Sequence, residues 1–297
     1  MTFENLTAYA YFAGWRIVRW LPENFAYRLF GWVGVRLGKK RTPRLERLRS
    51  NLARVKPQLN AAALDTLVIS AARSYMRYWC DTFRFPDWSH EKIVGSVSVS
   101  NEHLLMDAVS SGGGVIVALP HAGNWDHAGA YFCAKGVPLV TVVERLKPDA
   151  LFRRFLSYRE AMGMEALPLD GRVIAVLAKR LRQGKLVALV ADRDLSRTGI
   201  TVDFFNAPAR MPAGPAVLAL NTGALLLTAY VSYTSNGIHI DFRKIEMPLT
   251  GNLEEKVSKI VQDCANNFAA GIARHPQDWH MLQRIWIDGD FKERVDA

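Results

Sequence analysis

The residue types best suited to acid–base chemistry lie in the stretch LPHAGNWDHAGA, residues 119–130, which follows the apolar run GVIVA. This stretch contains His121, Asp126 and His127. A histidine can accept the proton of a hydroxyl group, and a carboxylate can fix its tautomer and stabilise the imidazolium that forms. The stretch therefore indicates a general base, His121, with Asp126 as a candidate partner. His127 is interpreted as a solvated or packing histidine.

The spacing and surroundings of the motif restrict this chemistry. On one straight α-helix, His121 and Asp126 would point about 140° apart, so only a loop that leads into a helix could bring them together. The sequence has no G-x-S-x-G nucleophile elbow, which argues against a serine triad and suggests that the substrate brings its own hydroxyl group. It also has no H-E-x-x-H motif and no cysteine pair, so we expect no bound metal.

Strands and helices alternate along most of the chain after residue 85. The apolar runs VSVS, GVIVALP, LVTVVE, MEALPLD and KLVALVAD are typical of strands, and amphipathic stretches lie between them. This order predicts an α/β fold with a mostly parallel central sheet flanked by helices. Ligands of such sheets bind beyond the carboxyl ends of the strands, which is where His121, Glu144 and Asp192 fall. Glu144 could equally cap the helix that follows it.

The composition is that of a globular protein, with 49% hydrophobic and 22% charged residues among 297. We expect one α/β domain over residues 1–297, in which residues 1–56 form a basic, aromatic helical segment. The cysteines, Cys80, Cys133 and Cys264, are odd in number and far apart, which favours a reducing compartment. Residues 1–56 hold 12 Lys+Arg and 3 Asp+Glu, so they carry +9 of the total net charge of +10.

The N-terminal segment mixes basic residues with aromatic ones, including Trp15, Trp20 and Trp32. This mixture predicts amphipathic helices that contact an anionic membrane surface, with the aromatic rings at the level of the headgroups. A pair of core helices with solvated basic edges is the alternative. The charge would also suit nucleic acid, but no RRM, KH or zinc-finger pattern is present, so we expect no nucleic-acid partner.

One long stretch without charged residues could suggest a membrane span. Residues 211–240 contain no Asp, Glu, Lys or Arg, but Pro212, Pro215 and Gly223 interrupt the apolar run. A span needs about 20 predominantly apolar residues. We therefore predict a helix that ends at a glycine cap, followed by a buried strand. The N-terminus is not typical of a cleaved signal peptide, because charged residues interrupt its apolar stretch.

The motif PHAGNWDHAG resembles the H-x4-D motif of glycerolipid and lipid A acyltransferases. Further blocks, VVERLKP, FLSYRE, LVADRDLSRTGITVDFFNAPARMPAGPAVLA and HPQDWHMLQRIW, are similar to the actinobacterial phosphatidylinositol mannoside acyltransferases, and their order spans nearly the whole chain. The resemblance implies transfer of a fatty acyl chain from acyl-CoA to a mannose hydroxyl of a phosphatidylinositol mannoside. It implies a peripheral enzyme at the cytoplasmic face of the plasma membrane. We expect a monomer that uses acyl-CoA as co-substrate and no other cofactor.

The resemblance also implies roles for individual residues. His121 matches the family's general base and Asp126 the motif aspartate. Asp192 takes the position of a second catalytic carboxylate that is a glutamate in the family, and this shorter side chain leaves open whether Asp192 or Asp126 orients His121. The remaining candidates are expected near the substrate: Glu144, Arg159 in YRE, Thr198 at the position of a small hydroxyl residue, and Asn221, which replaces a common glutamate.

The expected mechanism is direct transfer in a ternary complex. His121 takes the proton of a sugar hydroxyl, the oxygen attacks the thioester, and backbone amides near Gly123 or the Arg159 side chain stabilise the oxyanion. An apolar groove, partly walled by residues 211–233, would hold the acyl chain. An acyltransferase for glycerol phosphate or a lipid A-type sugar, and an acyl-CoA thioesterase, remain as alternatives.

Overall fold

The computed structural model describes residues 14–143, 149–169, 171–194, 196 and 198–288, with the backbone alone for 149–151. Its helices are α1 (14–20), α2 (Glu23–Gly38), α3 (Pro43–Val55), α4 (Ala61–Arg84), α5 (His90–Gly95), α6 (Glu102–Ser110), α7 (Trp125–Ala134), α8 (Asp149–Ala161), α9 (Val173–Arg182), α10 (Gly214–Thr222) and α11 (Leu253–Arg274). Its strands are β1 (Val97–Ser100), β2 (Val115–Leu119), β3 (Leu139–Val143), β4 (Glu165–Pro168), β5 (Leu186–Val190), β6 (Ile200–Asp203), β7 (Pro208–Met211), β8 (Leu225–Tyr233) and β9 (Ile238–Lys244).

A seven-stranded sheet forms the centre, in the order β1-β9-β8-β2-β5-β3-β4. Strands β8, β2, β5, β3 and β4 are mutually parallel. Strand β9 pairs antiparallel with β8, and β1 pairs parallel with β9. Strands β6 and β7 form a separate antiparallel hairpin. The predicted α/β fold with a mostly parallel sheet is therefore confirmed.

Both faces of the sheet are covered, which explains why the strands are apolar almost without interruption. In β2, Val115, Val117 and Leu119 pack toward α6, α7 and α8, while Ile116 and Ala118 pack toward α9, α10 and α11. All five residues of β2 are buried. Each face thus has its own hydrophobic core, and β2 belongs to both.

The N-terminal helices pack on α4 through close backbone contacts. A Cβ at Gly34 would lie 2.7 Å from Cα of Arg73, and one at Gly38 would lie 2.7 Å from Cα of Ile69. Only glycine permits this approach, and the four-residue spacing puts both positions on one face of α2. Helix α3 adds a smaller cluster in which Leu48 and Leu52 are buried.

The charge-free region folds as its sequence predicts. Helix α10 ends at Gly223, whose φ of +71° is the left-handed conformation of a glycine cap. The buried strand β8 follows directly. Within the part of the chain that the structure describes, no helix combines the length and apolar character needed to cross a membrane.

The aromatic residues of the N-terminal segment divide between core and surface. Trp20 and Trp32 are 77% and 54% exposed. Trp15, grouped with them from sequence, is buried: its indole N–H donates to the carbonyl of Phe83, and its ring lies 5.8 Å from that of Tyr158. The prediction that Trp15 faces a membrane is wrong, because Trp15 projects from α1 into the core under α8.

Candidate active site

His121 and Asp192 come from neighbouring parallel strands. Strands β2 and β5 end in register, with Leu119 paired to Val190. His121 and Asp192 each lie two residues beyond that last pair. The carboxyl edge of the sheet therefore places them side by side, as the strand-end argument predicts.

The two side chains form a short hydrogen bond. His121 Nδ1 lies 2.6 Å from Oδ1 of Asp192, and the backbone N–H of His121 donates to Oδ2 at 3.1 Å. Because an ionised carboxylate only accepts hydrogen bonds, Nδ1 carries the proton and the lone pair lies on Nε2. Asp192 is fully buried, whereas the His121 side chain is 39% exposed. The pair thus offers an accessible basic nitrogen supported by a buried carboxylate.

The environment of Asp192 favours its charged form. Burial by itself would raise the pKa of this carboxyl, but the charge and hydrogen bonds of His121 and the indole N–H of Trp279 outweigh burial, so that the pKa lies below its usual value. The aspartate side chain is long enough to reach His121 directly.

Asp126 is held in a separate ion pair. Its Oδ1 accepts from Nε of Arg159 at 2.8 Å, and its Oδ2 accepts from the hydroxyl of Tyr78 at 3.0 Å. Asp126 is 3% exposed. Burial would lower the pKa of the Arg159 guanidinium, but the adjacent Asp126 charge raises it above its ordinary value. Asp126 therefore ties α7 to α8 and α4.

The ring that contacts His121 belongs to Trp125, the residue before Asp126. The two rings meet edge-on with centroids 5.6 Å apart, and Trp125 itself stacks on Tyr78 at 4.5 Å. The sequence did not indicate a role for either aromatic residue. Their contacts link the surroundings of His121 to the Asp126 ion pair without bringing the second carboxylate to the imidazole.

The turn between β2 and α7 is fixed by Gly123 and Asn124. Gly123 has a φ of +58°, and a Cβ there would lie 2.6 Å from the carbonyl oxygen of Val231. Asn124 caps α7, because its side-chain oxygen accepts from the amide of His127 at 2.9 Å. The Gly123 amide donates to the Asp278 carbonyl at 2.8 Å, so it is already engaged and does not fit the predicted oxyanion role.

The other candidates are more scattered. Thr198 is exposed on the loop after Asp192, where its hydroxyl contacts that of Ser196 at 2.9 Å. Asn221 is exposed at the end of α10 and precedes the amino end of β8, which runs parallel to β2. Asn221 therefore lies at the amino end of the parallel strands, away from His121, and the structure does not bring these two residues together. Glu144 lies outside the described residues.

His127 is a packing histidine in a buried position. Its ring lies edge-on to those of Phe85 and Trp88, and Nε2 contacts the carbonyl of Ile93 at 3.0 Å. Burial lowers the pKa of His127 to about 4. His127 is thus a neutral core residue, in line with the packing interpretation.

A narrow apolar cavity of about 70 Å³ lies along the sheet face that carries α7. Near the carboxyl edge its lining includes Trp125, Arg159 and Val231, and near the amino edge it includes Leu139 and Leu186. Strand β8 contributes to the wall as predicted, through Ala229 and Val231. Helix α10, also expected there, packs on the opposite face of the sheet.

Comparison with known proteins decides the family. Residues 2–287 match the family model described as bacterial lipid A biosynthesis acyltransferase. The chain belongs to this acyltransferase family. The enzyme class expected from the sequence is confirmed at that level, as is the resemblance on which it was based.

Named bacterial proteins are similar to this chain over almost its whole length. A phosphatidylinositol mannoside acyltransferase of Mycolicibacterium smegmatis is 42% identical over 286 residues, which cover 95% of this chain and 92% of that protein. Proteins of the same name from two Mycobacterium tuberculosis strains are 43% identical over 290 residues, with 96% of this chain and 90% of theirs covered.

Proposed function

We propose that the protein transfers a fatty acyl chain from acyl-CoA to a mannose hydroxyl of a phosphatidylinositol mannoside. The observation that carries this proposal is the His121–Asp192 pair, in which a buried carboxylate supports an accessible imidazole. The names of the similar mycobacterial proteins support the choice of acceptor. The apolar cavity beside Trp125 supports an acyl donor.

The reaction begins with proton transfer to Nε2 of His121 from the acceptor hydroxyl. The oxygen attacks the thioester carbon, and the tetrahedral intermediate collapses with cleavage of the carbon–sulfur bond. The imidazolium, stabilised by Asp192, returns its proton to the departing CoA thiolate. No protein nucleophile is required, because the sugar supplies the attacking oxygen.

The oxyanion needs hydrogen-bond donors near His121. Arg159 is engaged by Asp126 and the Gly123 amide by Asp278, so neither is the preferred donor. The backbone amides of Trp125 and Asp126 lie in the first turn of α7, where an N–H group has no carbonyl acceptor within the helix. The positive end of the helix dipole also favours negative charge at this position. These amides are the donors in our mechanism.

The acyl chain occupies the apolar cavity. Trp125 lines the cavity and also contacts His121, so a chain held there brings its thioester close to the base. Burying each methylene group contributes about 0.8 kcal/mol, which makes the chain the main source of donor affinity. The cavity is narrow, so the surrounding side chains must move apart when the chain enters.

The N-terminal helices hold the enzyme on the cytoplasmic face of the plasma membrane as a peripheral protein. Exposed apolar side chains follow one another along α1 and α2, namely Ile17, Trp20, Phe25, Leu29 and Trp32. Arg16 lies over the ring of Trp20, and Arg36 lies 4.2 Å from the ring centre of Trp32. Aromatic and basic groups in one place suit a headgroup region with anionic lipid.

The proposal is tested by incubating the protein with radiolabelled acyl-CoA and separate panels of lipid acceptors. The expected product is a phosphatidylinositol mannoside with one added acyl ester on mannose. Acylated glycerol phosphate or a lipid A-type sugar would identify a different acceptor. Release of free fatty acid at the same rate with and without acceptor would identify a thioesterase and contradict the proposal.

A further inference from the structure

The two oxygens of Asp192 have different partners. Oδ1 faces Nδ1 of His121, whereas Oδ2 accepts from the His121 backbone amide and, at 2.9 Å, from the indole N–H of Trp279. Rotation of a carboxyl group about its last bond is normally soft. Two donors on Oδ2 remove this freedom and leave Oδ1 directed at the imidazole.

Trp279 is itself held rigidly, 87 residues away from Asp192 in sequence. Its side chain is 0% exposed, and its ring meets those of Phe204 and Trp286 at 6.0 and 6.3 Å. Its backbone bridges Ala122 in the loop that carries His121. The residues on either side bind the same loop, since the His280 amide donates to the His121 carbonyl at 2.7 Å and the Gly123 amide donates to the Asp278 carbonyl.

We propose that Trp279 is a positioning residue, which fixes the Asp192 carboxylate through its indole N–H and thereby holds His121 in its Nδ1-protonated orientation. This inference rests on the proposed function for its catalytic meaning. The segment containing Trp279 thus joins three parts of the site: the carboxylate, the base and the loop between β2 and α7. A purely structural tryptophan would require the ring but not the N–H.

The indole N–H also influences how strongly the pair binds a proton. A hydrogen bond donated to Asp192 withdraws part of the carboxylate charge that would otherwise stabilise the His121 imidazolium, and it is one of the contacts that lower the Asp192 pKa. Tyr230 on β8 also interacts with Asp192, and His280 interacts with His121. Both are neutral near pH 7, because burial raises the pKa of Tyr230 and lowers that of His280 to about 3.

Removing the N–H should therefore leave Asp192 more basic, and His121 should take up its proton at a higher pH. In Trp279→Phe we expect the titration midpoint of His121 to rise by about 0.5 to 1 pH unit, a fraction of the strength of a hydrogen bond to a charged group. The acidic limb of the pH profile of kcat/KM should also move to higher pH. The matched control is Trp286→Phe, which removes another buried indole N–H, one that donates to the carbonyl of Phe204 at 2.7 Å.

The midpoint is measured by NMR on ¹³C-histidine-labelled protein without substrate, with the His121 signal identified by its loss in His121→Gln. If Trp279→Phe does not fold, tryptophan 279 is replaced by benzothienylalanine, which keeps the ring shape and lacks the N–H. A rise in the midpoint for the variant at 279, absent in Trp286→Phe, supports the inference. An unchanged His121 titration in a folded variant overturns it. Because this titration needs no acyl transfer, a wrong acceptor would not affect the result.

Discussion

His121 Nδ1 and Asp192 Oδ1 lie 2.6 Å apart, although 71 residues separate them in sequence. The contact follows from the parallel pairing of β2 with β5, which end in register. It directs the lone pair of the imidazole, on Nε2, away from the carboxylate. The same contact therefore leaves the imidazole nitrogen Nε2 free of the carboxylate and fixes the orientation of the ring.

Asp192→Asn should lower the acyl-transfer rate by about 10²- to 10⁴-fold, because the amide keeps the shape but cannot stabilise the imidazolium. Initial rates with saturating substrates measure the effect. Asp194→Asn is the control, since Asp194 lies on the same loop and accepts from the Ser196 amide. Asp192→Glu should retain activity, because the resemblance seen in the sequence implies a glutamate at this position. Full activity in Asp192→Asn would show that the carboxylate charge is not needed.

Asp126→Asn should affect stability first. The substitution leaves the Arg159 cation buried without its counter-charge, which costs about 3–5 kcal/mol for a buried pair. Urea unfolding measures the free energy, and Asp126→Asn combined with Arg159→Gln should lose less than the two single changes together. A variant of wild-type stability with an altered acidic limb of kcat/KM would instead assign Asp126 to the base.

Membrane association should depend on the exposed cations of α2. Arg28→Gln with Arg36→Gln should weaken flotation with anionic liposomes, and the difference should be larger at low salt, because each cation near the surface contributes about 1 kcal/mol. Lys179→Gln with Arg182→Gln removes the same charge from exposed positions on α9 and should bind as wild type. Equal flotation of both variants would contradict an interface formed by α2.

Acidification should destabilise the protein through its buried histidines. Burial lowers the pKa of His127 to about 4, so its stabilising contribution is complete above the ordinary value near 6.5 and is lost as the pH falls toward 4. Between pH 7 and 5 this single group should remove about 2 kcal/mol of unfolding free energy. His127→Gln should show a loss smaller by that amount in urea titrations, and the exposed His103→Gln should not. Identical pH dependence in all three proteins would contradict a neutral His127.

The sequence predicts the local parts of this structure well and the long-range parts only in outline. The helix ending at Gly223 and the strands at the sheet centre follow from nearby residues. The partner of His121 depends on which strands are adjacent, which a single sequence does not reveal, so Asp126 and Asp192 could not be distinguished before β5 was placed beside β2. The sequence around Trp279 does not indicate its role, because its contact with Asp192 arises only when the C-terminal segment packs against the loop between β2 and α7.

The N-terminal segment shows a similar limit. Its spacing indicates helices, but the side on which each tryptophan lies depends on what the helix packs against. Trp15 contacts Phe83 and Tyr158 in the core, while Trp20 and Trp32 remain exposed. Composition therefore predicted the exposure of Trp20 and Trp32 correctly, but it did not predict the burial of Trp15.

The proposed mechanism requires His121 as the base for acyl transfer. The most direct measurement is turnover of acyl-CoA with a phosphatidylinositol mannoside acceptor by His121→Ala, with circular dichroism and acyl-CoA binding measured on the same sample. We expect a folded protein that binds acyl-CoA but transfers the acyl chain at least about 10²-fold more slowly, because proton removal from the acceptor is lost. Transfer at the wild-type rate by folded His121→Ala would contradict this mechanism.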